Sequence, residues 1–188
     1  QGLMDSPQGT SVLTRDDLDR LGPLPLVELL RGLPGVDAHE LGPLWATVGL
    51  RGSLVQGEPR TVQLLVDGVP FHIPVAGAAT LAGLPVPWDL IDRIEITRGP
   101  SATLHGANAV TGVISIRTRR AEAGVAGSLW GQGLSPQGAR GGASLRIGAP
   151  GWGLVAGGEG DSLARSGHAY EVLGDPPAPL RPTPAQLE

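Results

Sequence analysis

Residues 91–102 of the chain read IDRIEITRGPSA. Within this segment Ile94 and Ile96 alternate with charged and polar neighbours, which is the period-2 pattern of a strand with one buried face. The Gly-Pro pair at 99–100 interrupts the pattern and predicts another helical turn that runs to Leu104. We therefore expect a half-buried strand that ends in a sharp change of chain direction.

Further strands are predicted on both sides of this segment. Residues 47–50 and 61–66 are β-branched and apolar, and each run ends in a turn signal, Arg-Gly at 51–52 and Asp-Gly at 67–68. Residues 113–118 form a comparable run that ends in two arginines. Strands at these places would have to pair with one another, so they predict a small sheet.

Two short helices are predicted before these strands. Thr14 and Asp17 have the spacing of a capping box, and the Gly-Pro pair at 22–23 stops the helix that they begin. Pro25 suits the first turn of a second helix, which ends at Gly32. The first part of the chain is therefore helical, with a tight turn before the strands.

The segment between the predicted strands at 61–66 and 91–97 is dense in Pro, Gly and Ala. This composition predicts an irregular loop over residues 70–87. Pro87 can then start one helical turn that reaches residue 91.

After Ala121 the sequence consists of segments of about ten residues in which apolar and polar residues alternate, and short turns separate these segments. In residues 138–147 one face carries Ala and aliphatic side chains, while Arg140, Ser144 and Arg146 lie on the other. Such alternation fits transmembrane β-strands, and it equally fits a hairpin or meander on the sheet of a soluble protein. Residues 175–184 are rich in Pro and predict an irregular tail.

Composition excludes several classes of function. The formal net charge is −4 and all basic residues are Arg, with no basic run longer than two residues, so a nucleic-acid-binding protein is not expected. Cys is absent, which excludes disulfides and thiol chemistry. No uninterrupted apolar run is long enough for a spanning helix.

No catalytic set or cofactor site is predicted. Residues 99–106 have the outline of a phosphate loop, but Ala107 stands where such a loop needs Lys. The histidines show no spacing typical of metal ligands, and Ser101 lacks the flanking glycines of a nucleophile elbow. We therefore expect a protein that is not an enzyme and that holds neither metal nor cofactor.

A series of segments in fixed order resembles the plug domain of TonB-dependent outer-membrane receptors. The resemblance runs from about Val12 to Arg120. It is carried by residues 12–18, 26–36, 48–52, 64–70, 91–102, 106–109 and 112–116. The resemblance implies an α+β fold, in which a small mixed β-sheet plug with short helices is followed by antiparallel β-hairpin strands of an incomplete barrel. The corresponding domains are residues 1–120, 121–165 and 166–188.

The resemblance also implies a function as a gate in the outer membrane of a Gram-negative cell. In this family the plug fills a barrel of about 22 strands, and a scarce nutrient such as an iron–siderophore binds above it. TonB then pulls on an N-terminal TonB box and the plug rearranges. The implied partners are an outer-membrane β-barrel and TonB, and the implied location is the outer membrane with the plug facing the periplasm.

Two departures from the family pattern limit these expectations. No clear TonB box precedes Val12, and too few residues follow Ala121 to form a complete barrel. The barrel is therefore expected either from a C-terminal continuation or from a separate chain. The second case defines an alternative, a plug-like envelope module that binds or enters a partner without transporting anything. A soluble enzyme with a small mixed sheet is a third, poorly supported hypothesis.

Site residues follow from the same resemblance. Ligand contacts are predicted in the apical loops 41–45 and 71–84, at Trp45, Phe71 and His72. Plug–barrel contacts are predicted at Arg51, Glu95 and Arg98, since charges beside apolar strands need partners; ordinary surface ion pairs at strand ends are the alternative. Structural roles in turns and close approaches are predicted for Gly35, Gly52, Asp67, Gly68, Gly99, Pro100, Gly106 and Gly112.

Overall fold

The structure, a computed structural model, describes residues 9–42, 45–52, 61–71, 86–99, 109–134 and 138–163. Within these ranges the chain forms short helices and three separate sheets. The elements are β1 Thr10–Leu13, α1 Arg15–Leu21, α2 Leu26–Arg31, β2 Val36–Gly42, β3 Trp45–Leu50, β4 Val62–Val66, β5 Val69–Pro70, a 3₁₀ helix Trp88–Leu90, β6 Ile91–Arg98, β7 Gly112–Thr118, β8 Gly124–Leu134, β9 Gly138–Ala149 and β10 Trp152–Leu163.

The predicted strand at 91–97 is β6, and it lies in a five-stranded mixed sheet of order β1-β6-β7-β4-β5. The β4–β7 pair is parallel, whereas the other neighbours are antiparallel. Ile94 lies opposite Leu13 on one side and Ile116 on the other. The predicted mixed sheet with few helices is therefore confirmed, and the alternating isoleucines of β6 bring three strands into one core.

The helices begin where their capping residues predict. The Thr14 side chain and Asp17 form both hydrogen bonds of a capping box, and α2 follows Pro25 and ends at Gly32. Both helices turn leucines into the core, where each fully buried side chain contributes about 1.5–3 kcal/mol. The largest fully buried side chains are Leu18, Leu26, Val27, Leu30, Val48, Leu50, Leu64, Ile91, Ile94, Ile96, Ile114 and Ile116.

Three strands were not expected from the sequence. The shortest, β5, has two residues and pairs with the end of β4. β1 is only four residues long, and it is a strand because its backbone pairs with β6. β2 is rich in polar residues, but Val36 and Ala38 reach the core and the strand pairs with β3. The loop expected at 41–45 is consequently shorter than predicted, because β2 extends to Gly42 and β3 starts at Trp45. The loop predicted at 70–87 and the helical turn at 99–104 lie largely outside the described residues.

The third sheet contains β8, β9 and β10 in consecutive antiparallel order; we call it the wall sheet. Its predicted alternation is confirmed: Ser144 is buried, whereas Leu145 is 41% exposed. Neither α-helix in the described part of the chain has the length and apolar character needed to cross a membrane.

Candidate functional site

The 3₁₀ helix at 88–90 contacts the wall sheet through hydrogen-bonding groups. The backbone N–H of Trp88 donates to Oε2 of Glu159 on β10 at 3.0 Å. Oε1 of the same carboxylate accepts from Nη2 of Arg140 on β9, also at 3.0 Å. The Arg140 and Glu159 side chains are each only 18% exposed. Glu159 therefore bridges the 3₁₀ helix and the middle strand of the wall sheet.

A buried carboxylate makes the second contact. Oγ of Ser144 on β9 donates to Oδ2 of Asp89 at 2.5 Å, and Oγ of Ser128 on β8 lies 2.8 Å from Oγ of Ser144. Asp89 is 9% exposed and Ser144 7%. Because a buried carboxylate without hydrogen-bond donors would be strongly destabilising, the Ser144 hydroxyl is what allows Asp89 to face the wall sheet, and the Ser128 hydroxyl holds Ser144 in turn.

The third contact depends on a glycine. A Cβ atom at Gly157 of β10 would lie 3.0 Å from Cδ1 of Leu90 and 3.2 Å from the carbonyl oxygen of Ala143. The missing side chain therefore gives Leu90 the space to lie against the wall sheet. On the return from β7 the N–H of Arg119 donates to the carbonyl oxygen of Leu90 at 2.7 Å, which ties the 3₁₀ helix to the end of the mixed sheet.

Arg15 holds the same 3₁₀ helix from the opposite side. Its Nη1 donates to the carbonyl oxygens of Trp88 at 3.0 Å and Ile91 at 2.8 Å, and its guanidinium lies 5.3 Å from the centre of the Trp88 ring. It also pairs with Asp19, and this hydrogen bond lowers the pKa of the Asp19 carboxyl below its usual value, against the opposing effect of burial. The 3₁₀ helix is thus held between α1 and the wall sheet.

The two faces of the wall sheet differ in polarity. The face toward the 3₁₀ helix carries the polar side chains of Ser128, Ser144, Arg140 and Glu159, together with Trp130, which packs against the hydrophobic core. The opposite face exposes large apolar side chains to the surroundings. They are Val125 at 74% exposure, Leu129 at 86%, Leu145 at 41%, Trp152 at 59% and Leu154 at 48%. A sheet of a soluble protein has the reverse arrangement, with its apolar face inward.

The sequence of residues 2–113 matches the family described as TonB-dependent Receptor Plug Domain. The chain belongs to this plug-domain family. The matched residues include the helices, the β2–β3 hairpin and the mixed sheet up to the start of β7. We use the word plug for these elements together with the rest of β7, and the wall sheet follows them along the chain.

The chain is also similar to solved receptors. The chain is 26% identical to the siderophore receptor PirA from Pseudomonas aeruginosa, with a TM-score of 0.62 over 84% of this chain and 29% of that one. It is 27% identical to the ferric yersiniabactin uptake receptor FyuA from Yersinia pestis, with a TM-score of 0.61 over 74% of this chain and 21% of that one. The chain thus spans under a third of the length of these receptors.

Arg98, predicted as a barrel contact, bonds within the plug. Its guanidinium is buried, and it donates from Nη1 to the carbonyl oxygen of Gly9 at 3.1 Å and from Nη2 to that of Pro34 at 2.6 Å. Gly35, which has a φ of +66°, lies beside the same side chain. Arg98 therefore connects the start of β1 with the turn after α2, and its predicted contact with a barrel stays untested.

The other predicted barrel contacts do not converge on the wall sheet. Glu95 accepts a hydrogen bond from Nε of Arg93 on the same strand at 2.6 Å, and this ion pair raises the pKa of Arg93. Arg51 is exposed in a turn with a φ of 56°, and its N–H donates to the carbonyl oxygen of Gly35. The pairing of Arg93 with Glu95 matches the alternative of ordinary ion pairs, and contact with further barrel strands remains a prediction for both residues.

The predicted structural residues have clear local roles where they are described. Asp67 and Gly68 have φ values of 49° and 86°, as the two-residue hairpin between β4 and β5 requires. A Cβ atom at Gly112 would lie 2.3 Å from the carbonyl oxygen of Thr97, so only glycine lets β7 approach β6 there. Gly52 and Gly99 also have positive φ, at 76° and 130°.

The Asp67 carboxylate also fastens the end of β7. It accepts hydrogen bonds from the backbone N–H of Thr118 at 2.9 Å and from its hydroxyl at 2.6 Å. Burial alone would raise the pKa of Asp67, but these hydrogen bonds and the positive charges of Arg117 and Arg120 lower it overall.

The proposed ligand-contacting residues are only partly placed. Phe71 follows β5 and is 36% exposed, while Trp45 is the first residue of β3. His72, Pro100, Gly106 and the side chain of Trp45 lie outside the described residues.

The contacts at 88–90 were missed by the sequence analysis. Arg140 and Ser144 were assigned to the polar face of a strand, but Asp89 and Glu159 were given no role. A polar residue on the inner face of a strand does not reveal which distant side chain will reach it. The only sequence signal was the Pro-Trp-Asp-Leu turn at 87–90, immediately before β6.

Proposed function

We propose that this chain is the gate portion of a TonB-dependent outer-membrane receptor that takes up a scarce nutrient, such as an iron–siderophore. The observation that carries the proposal is the reversed polarity of the wall sheet, whose polar face meets the plug while its apolar face points away. A lipid bilayer is the environment that stabilises such an outward apolar face. The family supports the same proposal.

The contacts at 88–90 suit a gate that must hold and then release. A hydrogen bond contributes about 0.5–1.5 kcal/mol net, and one to a charged group about 1.5–3 kcal/mol. The bonds that join Asp89 to Ser144 and the N–H of Trp88 to Glu159 therefore position the plug against the wall sheet, yet water can replace each of them when the plug moves. A large apolar contact would not have this property, because its separation would expose the buried surface to water.

The nutrient class rests on the named receptors and on the predicted apical residues. The solved relatives are described as receptors for siderophores and for ferric yersiniabactin. In the proposed receptor, Trp45, Phe71 and His72 contact the ligand from the plug side. Arg51, Glu95 and Arg98 lie near the surrounding barrel, and TonB engages the N-terminal side of the plug.

The test is uptake by cells that produce the full-length protein carrying this chain. A strain lacking the gene, the same strain with the gene restored, and the restored strain without TonB are compared under iron limitation. The probe is a panel of ⁵⁵Fe-loaded siderophores, with cobalamin and haem as further substrates. The proposal is supported if restoring the gene restores uptake of at least one probe and if removing TonB abolishes that uptake. Outer-membrane insertion without uptake of any probe would favour the non-transporting envelope module, and recovery in the cytoplasm would contradict both.

A further inference from the structure

A second polar region lies where the plug passes into the wall sheet. A groove of about 950 Å³ is lined by Arg93, Arg117, Arg119 and Arg120 together with three carboxylates and parts of β10. A smaller recess of about 110 Å³ beside it is lined by Arg146, and Glu122 lines both. We call Arg117, Arg119, Arg120 and Arg146 the arginine groove. None of the contacts at 88–90 uses these four side chains.

The four guanidinium groups have no carboxylate partner within 4 Å among the residues that the structure describes. Nε of Arg117 and Nε of Arg146 are buried, and in the described ranges neither has a hydrogen-bond acceptor. A buried donor without an acceptor is destabilising. Arg93 differs from them, because Asp92 and Glu95 already neutralise it.

The charges around Arg119 favour the entry of an anion. Burial lowers the pKa of Arg119, and the positive charges of Arg146 and Arg15 lower it further, while the negative charges of Asp89 and Asp19 offset part of this effect. A further negative charge in the groove would relieve the remaining repulsion between the arginines. The side chains of the groove are arginines. Each guanidinium group is planar and can donate two parallel hydrogen bonds to the oxygens of a phosphate or carboxylate group.

The charge balance indicates which anion fits. Arg93 is set aside because Asp92 and Glu95 neutralise it. The four arginines of the groove then face two carboxylates of the lining, Asp67 and Glu122, so two positive charges remain among the lining residues. Free phosphate, or a phosphate monoester, carries about −1.5 to −2 charges near pH 7 and has three strong acceptor oxygens. A single carboxylate would supply one charge and fewer acceptors. We propose that the arginine groove is a binding site for a phosphate group.

Phosphate could reach the groove free in solution or on a phospholipid headgroup, where it is a diester that carries one negative charge and two non-bridging oxygens and so balances only half of the surplus charge. The groove lies at the end of the wall sheet where β8 begins and β9 turns into β10 through Pro150 and Gly151. Trp152 is 59% exposed at the same end, and exposed tryptophans are typical of the membrane–water interface. The lipid source rests on the proposed outer-membrane function, whereas phosphate binding itself does not.

The test uses the full-length protein purified in a phosphate-free detergent. Inorganic phosphate is titrated and its binding is followed by ³¹P NMR line broadening, in parallel with acetate as a probe of charge alone. Nanodiscs of phosphatidylglycerol and of phosphatidylcholine then distinguish an anionic lipid headgroup from free phosphate. The variants are Arg117→Gln/Arg119→Gln and the exposed Arg120→Gln. Arg20→Gln on α1 removes the same charge at a position that lines neither recess and is the matched control.

We expect the double variant to bind phosphate at least about tenfold more weakly, Arg120→Gln to bind several-fold more weakly, and Arg20→Gln to bind as the parent does. If the double variant fails to fold, as judged by circular dichroism, Arg120→Gln alone decides. Selective retention of phosphatidylglycerol identifies the lipid source, and binding of inorganic phosphate alone identifies the soluble one. Equal competition by acetate, equal loss in Arg20→Gln, or no binding of either phosphate form would overturn the proposal. None of these outcomes depends on nutrient uptake.

Discussion

Replacing Ser144 by Ala removes the hydroxyl that binds the buried Asp89 carboxylate at 2.5 Å. The variant leaves a nearly inaccessible carboxylate oxygen without this donor, at a cost of about 1.5–3 kcal/mol for a hydrogen bond to a charged group. Since about 1.4 kcal/mol corresponds to a factor of ten, opening of the 3₁₀ helix from the wall sheet should become roughly 10- to 100-fold more frequent. Asp89→Asn should have a smaller effect, because the amide oxygen can still accept from Ser144.

The assay is hydrogen exchange of the full-length protein, read by mass spectrometry. Two amides report the opening: the N–H of Leu90, bonded to the carbonyl oxygen of Pro87 at 2.9 Å, and the N–H of Arg119, bonded to that of Leu90 at 2.7 Å. Peptides that contain them should exchange faster in Ser144→Ala. Ser162→Ala, at an exposed position of β10, is the matched control. Exchange within about twofold of the parent in Ser144→Ala would refute the role assigned to this hydrogen bond.

Two further substitutions test the plug itself. Gly112→Ala places a Cβ atom 2.3 Å from the Thr97 carbonyl oxygen. The free energy of unfolding, measured in denaturant, should therefore fall by about 3 kcal/mol or more. The control is Gly131→Ala, where a Cβ atom meets nothing within 4 Å, and an equally small change in both variants would contradict the prediction. Asp67→Asn keeps a residue that tolerates positive φ but removes a carboxylate whose pKa is lowered by folding. That carboxylate stabilises the fold above its unfolded pKa of about 3.9, and its contribution is lost as the pH falls through the lower folded value. The variant should therefore melt below the parent at pH 7 but approach it near pH 2.5, and an equal difference at both pH values would exclude a role for the charge.

Local signals accounted for most of the elements of the plug. The capping box at Thr14 and Asp17, and the alternation of Ile94 and Ile96, are formed by residues close in sequence, so their structural consequence can be derived from the sequence. β1 and β2 could not be predicted in this way. The four residues of β1 have no distinctive period, and β2 includes Asp37 and His39. These segments become strands because β6 and β3 offer them hydrogen-bonding edges.

The contacts of the candidate site were even harder to predict from local sequence than the strands. The sequence analysis placed Ser144 and Arg140 on the polar face of their strand, but it could not find Asp89, which is 55 residues away from Ser144. Arg98 illustrates the converse case, since a charge beside an apolar strand does need a partner. The sequence pointed to opposite charges on a barrel, while the structure supplies the backbone carbonyls of Gly9 and Pro34. Which group a buried polar side chain contacts therefore depends on the tertiary fold, and the neighbouring sequence does not reveal it.

One line of contacts joins the N-terminal strand to the wall sheet. Gly9 is held by Arg98 at the end of β6, and β1 then pairs with β6 along its whole length. Arg15, two residues after the end of β1, donates to the carbonyl oxygens of Trp88, the first residue of the 3₁₀ helix, and of Ile91, which follows that helix. The N–H of Trp88 is bonded to Glu159 of the wall sheet. In the proposed gate, displacement of β1 therefore acts on two contacts together: the buried Leu13 of β1 leaves its place opposite Ile94, and Arg15 transmits the movement to the element that fastens the plug to the wall sheet, because it binds that element through two carbonyl oxygens.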